Sequence, residues 1–169
     1  MEPSWRGIPA FPHYEVSNLG EVRNVKTERI LHSSLTPQGH IKVKLRNESG
    51  AHTRQINQLV GQLFLPPPPR EDFISVIHLD GKKTNCQAIN LLWRPRFFAI
   101  RYHMQFETAM WKRIRVPVVE VKEQKRYESA QEAAMANGLI LVELLSAAYN
   151  KTFVWPTYQQ FRTQLDYTS

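Results

Sequence analysis

Four consecutive prolines, Pro66 to Pro69, constrain this chain more than any other feature of its sequence. Each fixes φ and lacks an amide proton, so the run can neither continue a helix nor donate to a sheet ladder. It is a stiff extended connector that closes a first region. A second seam lies at Arg115-Val116-Pro117, where the charge changes sign. Residues 1–70 carry 9 basic and 5 acidic side chains, residues 71–116 carry 8 and 4, and residues 117–169 carry 5 and 6. The chain therefore reads as three modules, 1–69, 70–116 and 117–169.

The net charge of +7 favours an anionic partner, nucleic acid first. The lone Cys86 rules out an internal disulfide and a multi-cysteine zinc fold, and suits a reducing compartment. No apolar run approaches the ~20 residues of a membrane helix, and Met1 to Pro12 lacks the order of a signal peptide. The expectation is a protein without a membrane partner that works in the cytoplasm where it is made.

Ile41, Val43 and Leu45 alternate with Lys42, Lys44 and Arg46, the period-2 pattern of a strand with one buried and one basic face. That face is either solvated or laid on phosphate. Turn signals at Asn18-Leu19-Gly20, Pro37-Gln38-Gly39 and Asn47 to Gly50 cut the first region into short strands, Glu21–Val25 and Arg29–His32 among them. Helical spacing of Ile56, Leu59, Val60 and Leu63 predicts a helix over Gln55–Phe64. The middle module reads as a strand at Phe73–His78, a loop centred on Gly81, a strand at Asn90–Trp93 and helical character over Phe97–Lys112. The tail predicts a strand at Val118–Val121, a helix entered through Ser129 and Glu132 as a capping box, a break at Asn137-Gly138, and a helix over Leu141–Tyr149. The fold class is α+β.

The residues Trp5 to Pro9, with Tyr14-Glu15-Val16-Ser17-Asn18-Leu19-Gly20-Glu21-Val22-Arg23, resemble the N-terminal module of phage HNH homing endonucleases. The likeness continues through Leu59-Val60 and Phe64-Leu65-Pro66. It extends to Ile77-His78-Leu79-Asp80-Gly81-Lys82-Lys83-Thr84-Asn85, Asn90-Leu91 and Trp93, which look like the HNH core of intron-encoded nicking enzymes. The tail, at Pro117-Val118-Val119, Tyr127-Glu128-Ser129, Glu132-Ala133-Ala134 and Gly138-Leu139, is similar to their C-terminal helix-turn-helix module. The resemblance implies a small antiparallel sheet module, a ββα-metal (HNH) unit and a helix-turn-helix, spread along duplex DNA.

Cleavage by such a protein needs a base to activate water and a divalent cation, Mg²⁺, to hold the scissile phosphate. The resemblance implies His78 as base and Asn90 as the residue that orients the surrounding loop. Asp80 has a structural place in that loop. The family's metal ligands fall where this chain has Ile77 and Ala99, and hydrocarbon side chains cannot bind a hard cation. His103, four residues after Ala99, is the remaining candidate ligand. His78 then reads as a retained, fold-stabilising histidine. Asn57 replaces a helix histidine of the family, and His13, His32, His40 and His52 read as surface residues.

The predicted second tail helix also departs from a DNA reader. Ser129–Asn150 contains no Lys or Arg, whereas a recognition helix presents polar and basic groups. Ile140, Leu141 and Val142 fall at outward positions by the resemblance, where an apolar patch marks a protein partner. The same residues could instead pack onto Trp155, Tyr158 or Phe161. Three functions stay open. The leading one is a pseudoenzyme without cofactor, holding double-stranded DNA through Arg23, Lys26, Lys42, Lys44 and Arg46 together with Lys82, Lys83, Arg94, Arg96 and Arg101. The second is an adaptor docking through the apolar helix, and the third an active Mg²⁺-dependent nickase in a phage-infected bacterial cell.

Overall fold

A computed structural model describes residues 2–163. The chain divides into two compact units, Met1–Arg96 and Phe97–Ser169. The seams expected after residues 69 and 116 both fall inside these units, because contacts cross each of them. Asn57 donates to Val76 O at 3.4 Å across the first, and Gln131 donates to Trp111 O at 3.1 Å across the second.

In the first unit, β1 (Trp5–Ile8), β2 (Phe11–Ser17) and β3 (Val22–Asn24) form an antiparallel sheet. A second sheet consists of β4 (Ser33–Leu35), β5 (Ile41–Asn47) and β6 (Gly50–Gln55), with β5 central. The strand expected over Arg29–His32 does not form. Ile30 makes only an isolated bridge to Arg23, and the pairing passes to Ser33–Leu35. Helix α1 (Ile56–Phe64) buries Ile56, Leu59 and Val60 against the core of Phe11, Val16 and Leu45. It ends where Leu65 precedes Pro66, as the residue before proline avoids helical ψ.

The hairpin of β7 (Ser75–His78) and β8 (Leu91–Arg94) packs directly on that helix at Gly61. A Cβ at Gly61 would stand 2.7 Å from Val76 Cγ2 and 3.3 Å from the Trp93 ring, so only glycine fits there.

The second unit contains α2 (Arg96–Met104), which begins on the last residue of the first, and α3 (Ala109–Arg113). The single helix expected over Phe97–Lys112 is broken by a 3-10 turn at Gln105–Glu107. Thr108 resets the chain by donating to Gln105 O at 2.7 Å and accepting from Trp111 N. After them come β9 (Val118–Glu120), β10 (Arg126–Tyr127), α4 (Ala130–Asn137), α5 (Leu141–Asn150), β11 (Phe153–Val154) and β12 (Gln159–Thr163). The four strands make one sheet in the order β10-β9-β12-β11.

The Ser129 half of the capping box forms as the sequence predicts, Ser129 Oγ accepting from Glu132 N at 3.2 Å. The return bond is displaced by one residue: Glu132 Oε2 accepts from Glu128 N at 3.0 Å, the residue before the cap. Gly138 closes α4 in the left-handed region at φ 58°, and the two helices are bent by 114°. Among the described residues no single helix is long and apolar enough to cross a membrane.

Candidate nuclease centre and nucleic-acid interface

The loop between β7 and β8 is organised by one carboxylate. Asp80 Oδ1 accepts from Lys82 N at 2.9 Å and Asn90 Nδ2 at 2.9 Å, and Oδ2 accepts from Asn85 Nδ2 at 2.8 Å. Asn90 completes the circuit. Its Oδ1 accepts from Asp80 N at 3.0 Å, and its Nδ2 also donates to Asn85 O at 2.9 Å. Burial alone would raise the Asp80 pKa, but the bonds from Asn85, Asn90 and Lys82, with His78 nearby, outweigh it and hold the carboxyl below its usual value. Asn90 thus ties Asp80 and Asn85 together across the loop that follows His78.

His78 is fully buried. Its Nε2 stands 3.9 Å from Cys86 Sγ, and its ring centroid lies 5.6 Å from that of His40. His40 is not a surface histidine: it is half-buried, with its pKa lowered by burial and by the charge of Lys83. The turn leading into β5 is fastened to the loop by Lys83 Nζ, which donates to Gln38 O at 3.0 Å. His52 is half-buried, its ring 5.6 Å from that of Phe11 and its Nε2 2.9 Å from Ser49 Oγ. Burial pushes the Cys86 thiol up to about 11 despite a hydrogen bond from the Asn57 backbone. Asn57, where the family has histidine, is buried and bonds Val76 O. Nothing in the sequence around His40 announces its role, because the turn that delivers it is contacted by a loop more than 40 residues away.

The divalent cation that the family implies does not fit this residue set. Ile77 is fully buried and supplies only hydrocarbon, and Asp80 has its oxygens committed to loop donors. Ala99, on α2, is buried and has no donor atom. His103, also on α2, has Nδ1 2.9 Å from Ala99 O. Among the described residues no group of three His, Cys, Asp or Glu side chains is arranged to hold a metal.

The basic strand face is present. On β5, Val43 (2% exposed) and Leu45 (0%) point into the core, while Lys44 and Arg46 are exposed and Lys42 half-buried. Their cross-strand neighbours on β6 are Gln55, Thr53 and Ala51, so no carboxylate neutralises the row from that strand. Lys26 and Lys82 are also exposed. Other expected contacts are committed elsewhere. Arg23 pairs with Glu15 at 2.9 Å and lies over Trp5. Arg94 is buried and donates to Trp93 O, which removes it from a surface that touches phosphate. In the second unit Arg101 pairs with Glu143 at 2.6 Å. Arg96, at the start of α2, is exposed.

The tail corrects a second expectation. Ile140 (3% exposed) and Leu141 (2%) are interior, and only Val142 (43%) faces outward. Leu141 and Leu144 pack with Phe161, so the apolar run serves the core. Gln105 is the residue that sequence reasoning missed here. Its Oε1 accepts from Leu141 N at 2.8 Å and its Nε2 donates to Leu139 O at 3.3 Å, capping an α5 whose own N-cap, Ile140, has no side-chain oxygen.

Comparison with known proteins places these features in a family context. Residues 4–50 match the NUMOD4 motif. Two mimivirus proteins described as uncharacterized HNH endonucleases, L245 and L247 of Acanthamoeba polyphaga mimivirus, are 33% identical over 55% of this chain and 29% identical over 87% of it. The DNA endonuclease I-HmuI of Bacillus phage SP01 is 32% identical over 53% of the chain. The chain spans 27%, 38% and 51% of the length of these three relatives. A solved structure of the HNH homing endonuclease I-HmuI shares the fold, with a TM-score of 0.54 at 24% identity over 96% of this chain and 98% of that one. The chain is thus similar in sequence, over about half its length, to proteins described as HNH endonucleases of a mimivirus and a phage. It shares the fold of the I-HmuI structure.

Proposed function

We propose that this chain binds duplex DNA as an HNH homing-endonuclease-like protein that has lost metal-dependent cleavage, acting by occupancy or regulation. The observation that carries this reading is the contrast inside one hairpin. The Asp80–Asn85–Asn90 circuit that shapes the loop is complete, while the position before His78 holds a buried isoleucine. The relative named as a DNA endonuclease, I-HmuI, supports DNA as the partner, and the exposed Lys44 and Arg46 supply the phosphate contacts. The test is a nicking assay on supercoiled plasmid with Mg²⁺, Mn²⁺ or Zn²⁺, beside a duplex-binding assay in the same buffers. The expected result is salt-sensitive binding without nicking, unchanged by His78→Ala. Metal-dependent nicking that this substitution abolishes would establish the active nickase instead.

A second reading, the adaptor, draws on a cavity of about 210 Å³ in the second unit. It is lined by Met104, Met110, Trp111 and Val142 among others. Loss of a partner on Val142→Asp with duplex binding intact would favour it.

A further inference from the structure

The hairpin of β5 and β6 ends in a two-residue turn, Glu48 and Ser49, because Asn47 and Gly50 face one another across the ladder. The turn is fixed by its neighbours. Asn47 Oδ1 accepts from Ser49 N at 3.1 Å and from Ser49 Oγ at 2.7 Å, and Asn47 Nδ2 donates to Ala10 O at 3.1 Å. Glu48 is therefore carried at the tip of a hairpin that is tied to the chain between β1 and β2. Beside that tip is a cavity of about 590 Å³, lined by His13, Tyr14, Asn24, Arg46, Asn47 and Glu48 among others. Glu48 and Arg46 are both exposed and stand two residues apart on the same cavity. Among the described residues, neither forms an ion pair with the other or with any third group.

The rest of the hairpin is basic. Residues 41–55 carry Lys42, Lys44, Arg46 and Arg54 against Glu48 alone. A carboxylate set against phosphates is repelled, so an acid at the end of a basic hairpin works against backbone binding. What a duplex offers a carboxylate is an amino group on a base edge. In the major groove, which admits a two-stranded β-ribbon, those groups are cytosine N4 and adenine N6. Adenine sets its N7 acceptor beside the amino group, which suits an amide and opposes a carboxylate. Cytosine presents the donor alone. We propose that Glu48 is a base-reading residue that accepts from cytosine N4 in the major groove, while Lys44 and Arg46 hold the flanking phosphates. This deepens the duplex-binding function proposed above, and rests on it, by dividing the hairpin into residues that position and one that selects.

The test is selection by the full chain from a duplex library with a randomised central segment. Fluorescence anisotropy follows on the selected duplex and on the same duplex with the chosen C·G pair changed to T·A. The intact chain should enrich cytosine at one position and lose roughly five- to 150-fold in affinity when that pair is changed, the range of one mismatched pair. Glu48→Ala should remove this discrimination and leave the preference at other positions intact. If it lowers the melting temperature, Glu48→Ser replaces it with another residue suited to a turn. Arg46→Gln should weaken all duplexes alike, flatten the salt dependence by about 0.9, and keep the cytosine preference. A preference that survives the loss of Glu48, or that disappears on Arg46→Gln, overturns the proposal. So does duplex binding without a selected cytosine, or a uniform gain in affinity by Glu48→Ala, which would show a carboxylate that merely repels phosphate. Failure of the intact chain to bind any duplex at low salt would overturn the function proposed above, and this site with it.

Discussion

Strand β5 and helix α5 both carry an apolar series interrupted by polar residues, yet they dispose of it in opposite ways. On β5 each successive side chain changes face, so Val43 and Leu45 enter the core and Lys44 and Arg46 are forced outward. On α5 the face that a residue occupies depends on which surfaces surround the helix. Leu141 and Leu144 are interior, Val142 is exposed, and Glu143 is taken up by Arg101. A strand displays its charge by geometry, whereas a helix displays only what its neighbours leave uncovered.

Four measurements would break or sharpen that contrast. The largest effect falls on α5. Leu141→Ala should cost about 2–5 kcal/mol in denaturant unfolding, as for other fully buried leucines, while Val142→Ala should stay within about 0.5 kcal/mol. Equal costs would return Leu141 to the surface. Next, replacing Lys42, Lys44 and Arg46 together by Gln should flatten the log–log salt dependence of duplex binding by about two to three, near 0.9 per phosphate. An unchanged slope would make the β5 face merely solvated.

A smaller loss is expected at Gln105→Ala. It leaves the Leu141 amide without its acceptor at a cost of about 1–3 kcal/mol, and a neutral result would show that water replaces the cap. The smallest effect is one of pH. His40 has a folded pKa below its usual 6.5, so the unfolded chain binds the proton more readily. Its contribution to stability is therefore complete above the unfolded value, and is lost as pH falls through the lower folded value. Melting temperature should drop on acidification below pH 6.5, and His40→Gln should blunt the drop. An identical pH profile for that variant would show that the turn at Gln38–His40 does not respond to titration.

What could be read in advance follows the same division. The β5 alternation, the Ser129–Glu132 capping box and the Gly138 stop are local patterns, each set by residues within a few positions of one another. The Asp80–Asn90 circuit was reachable only through family resemblance, because its members mean little apart. Apart from the helix break at Gln105–Glu107, which Thr108 sets locally, the failures are non-local. Arg29–His32 has strand-like composition, but its partner strand takes Ser33–Leu35 instead. The placing of Ile140 and Leu141 rests on Gln105, some 36 residues away, and on a sheet that includes the unexpected β11 and β12. Charge alone points Arg94 at phosphate, but on β8 its side chain is buried.

The lone cysteine gives the first unit a built-in clock. Cys86 is 3% exposed, and a Cβ added to Gly20, in the turn after β2, would lie 2.8 Å from its own Cβ. The loop and the sheet are thus pressed together at a single chemically addressable point. A thiol reagent can reach that sulfur only during an excursion that parts the two surfaces, so the rate of modification counts such excursions. Comparing that rate with global unfolding would separate breathing of the β7–β8 hairpin and its loop from loss of the whole unit, without introducing a foreign probe.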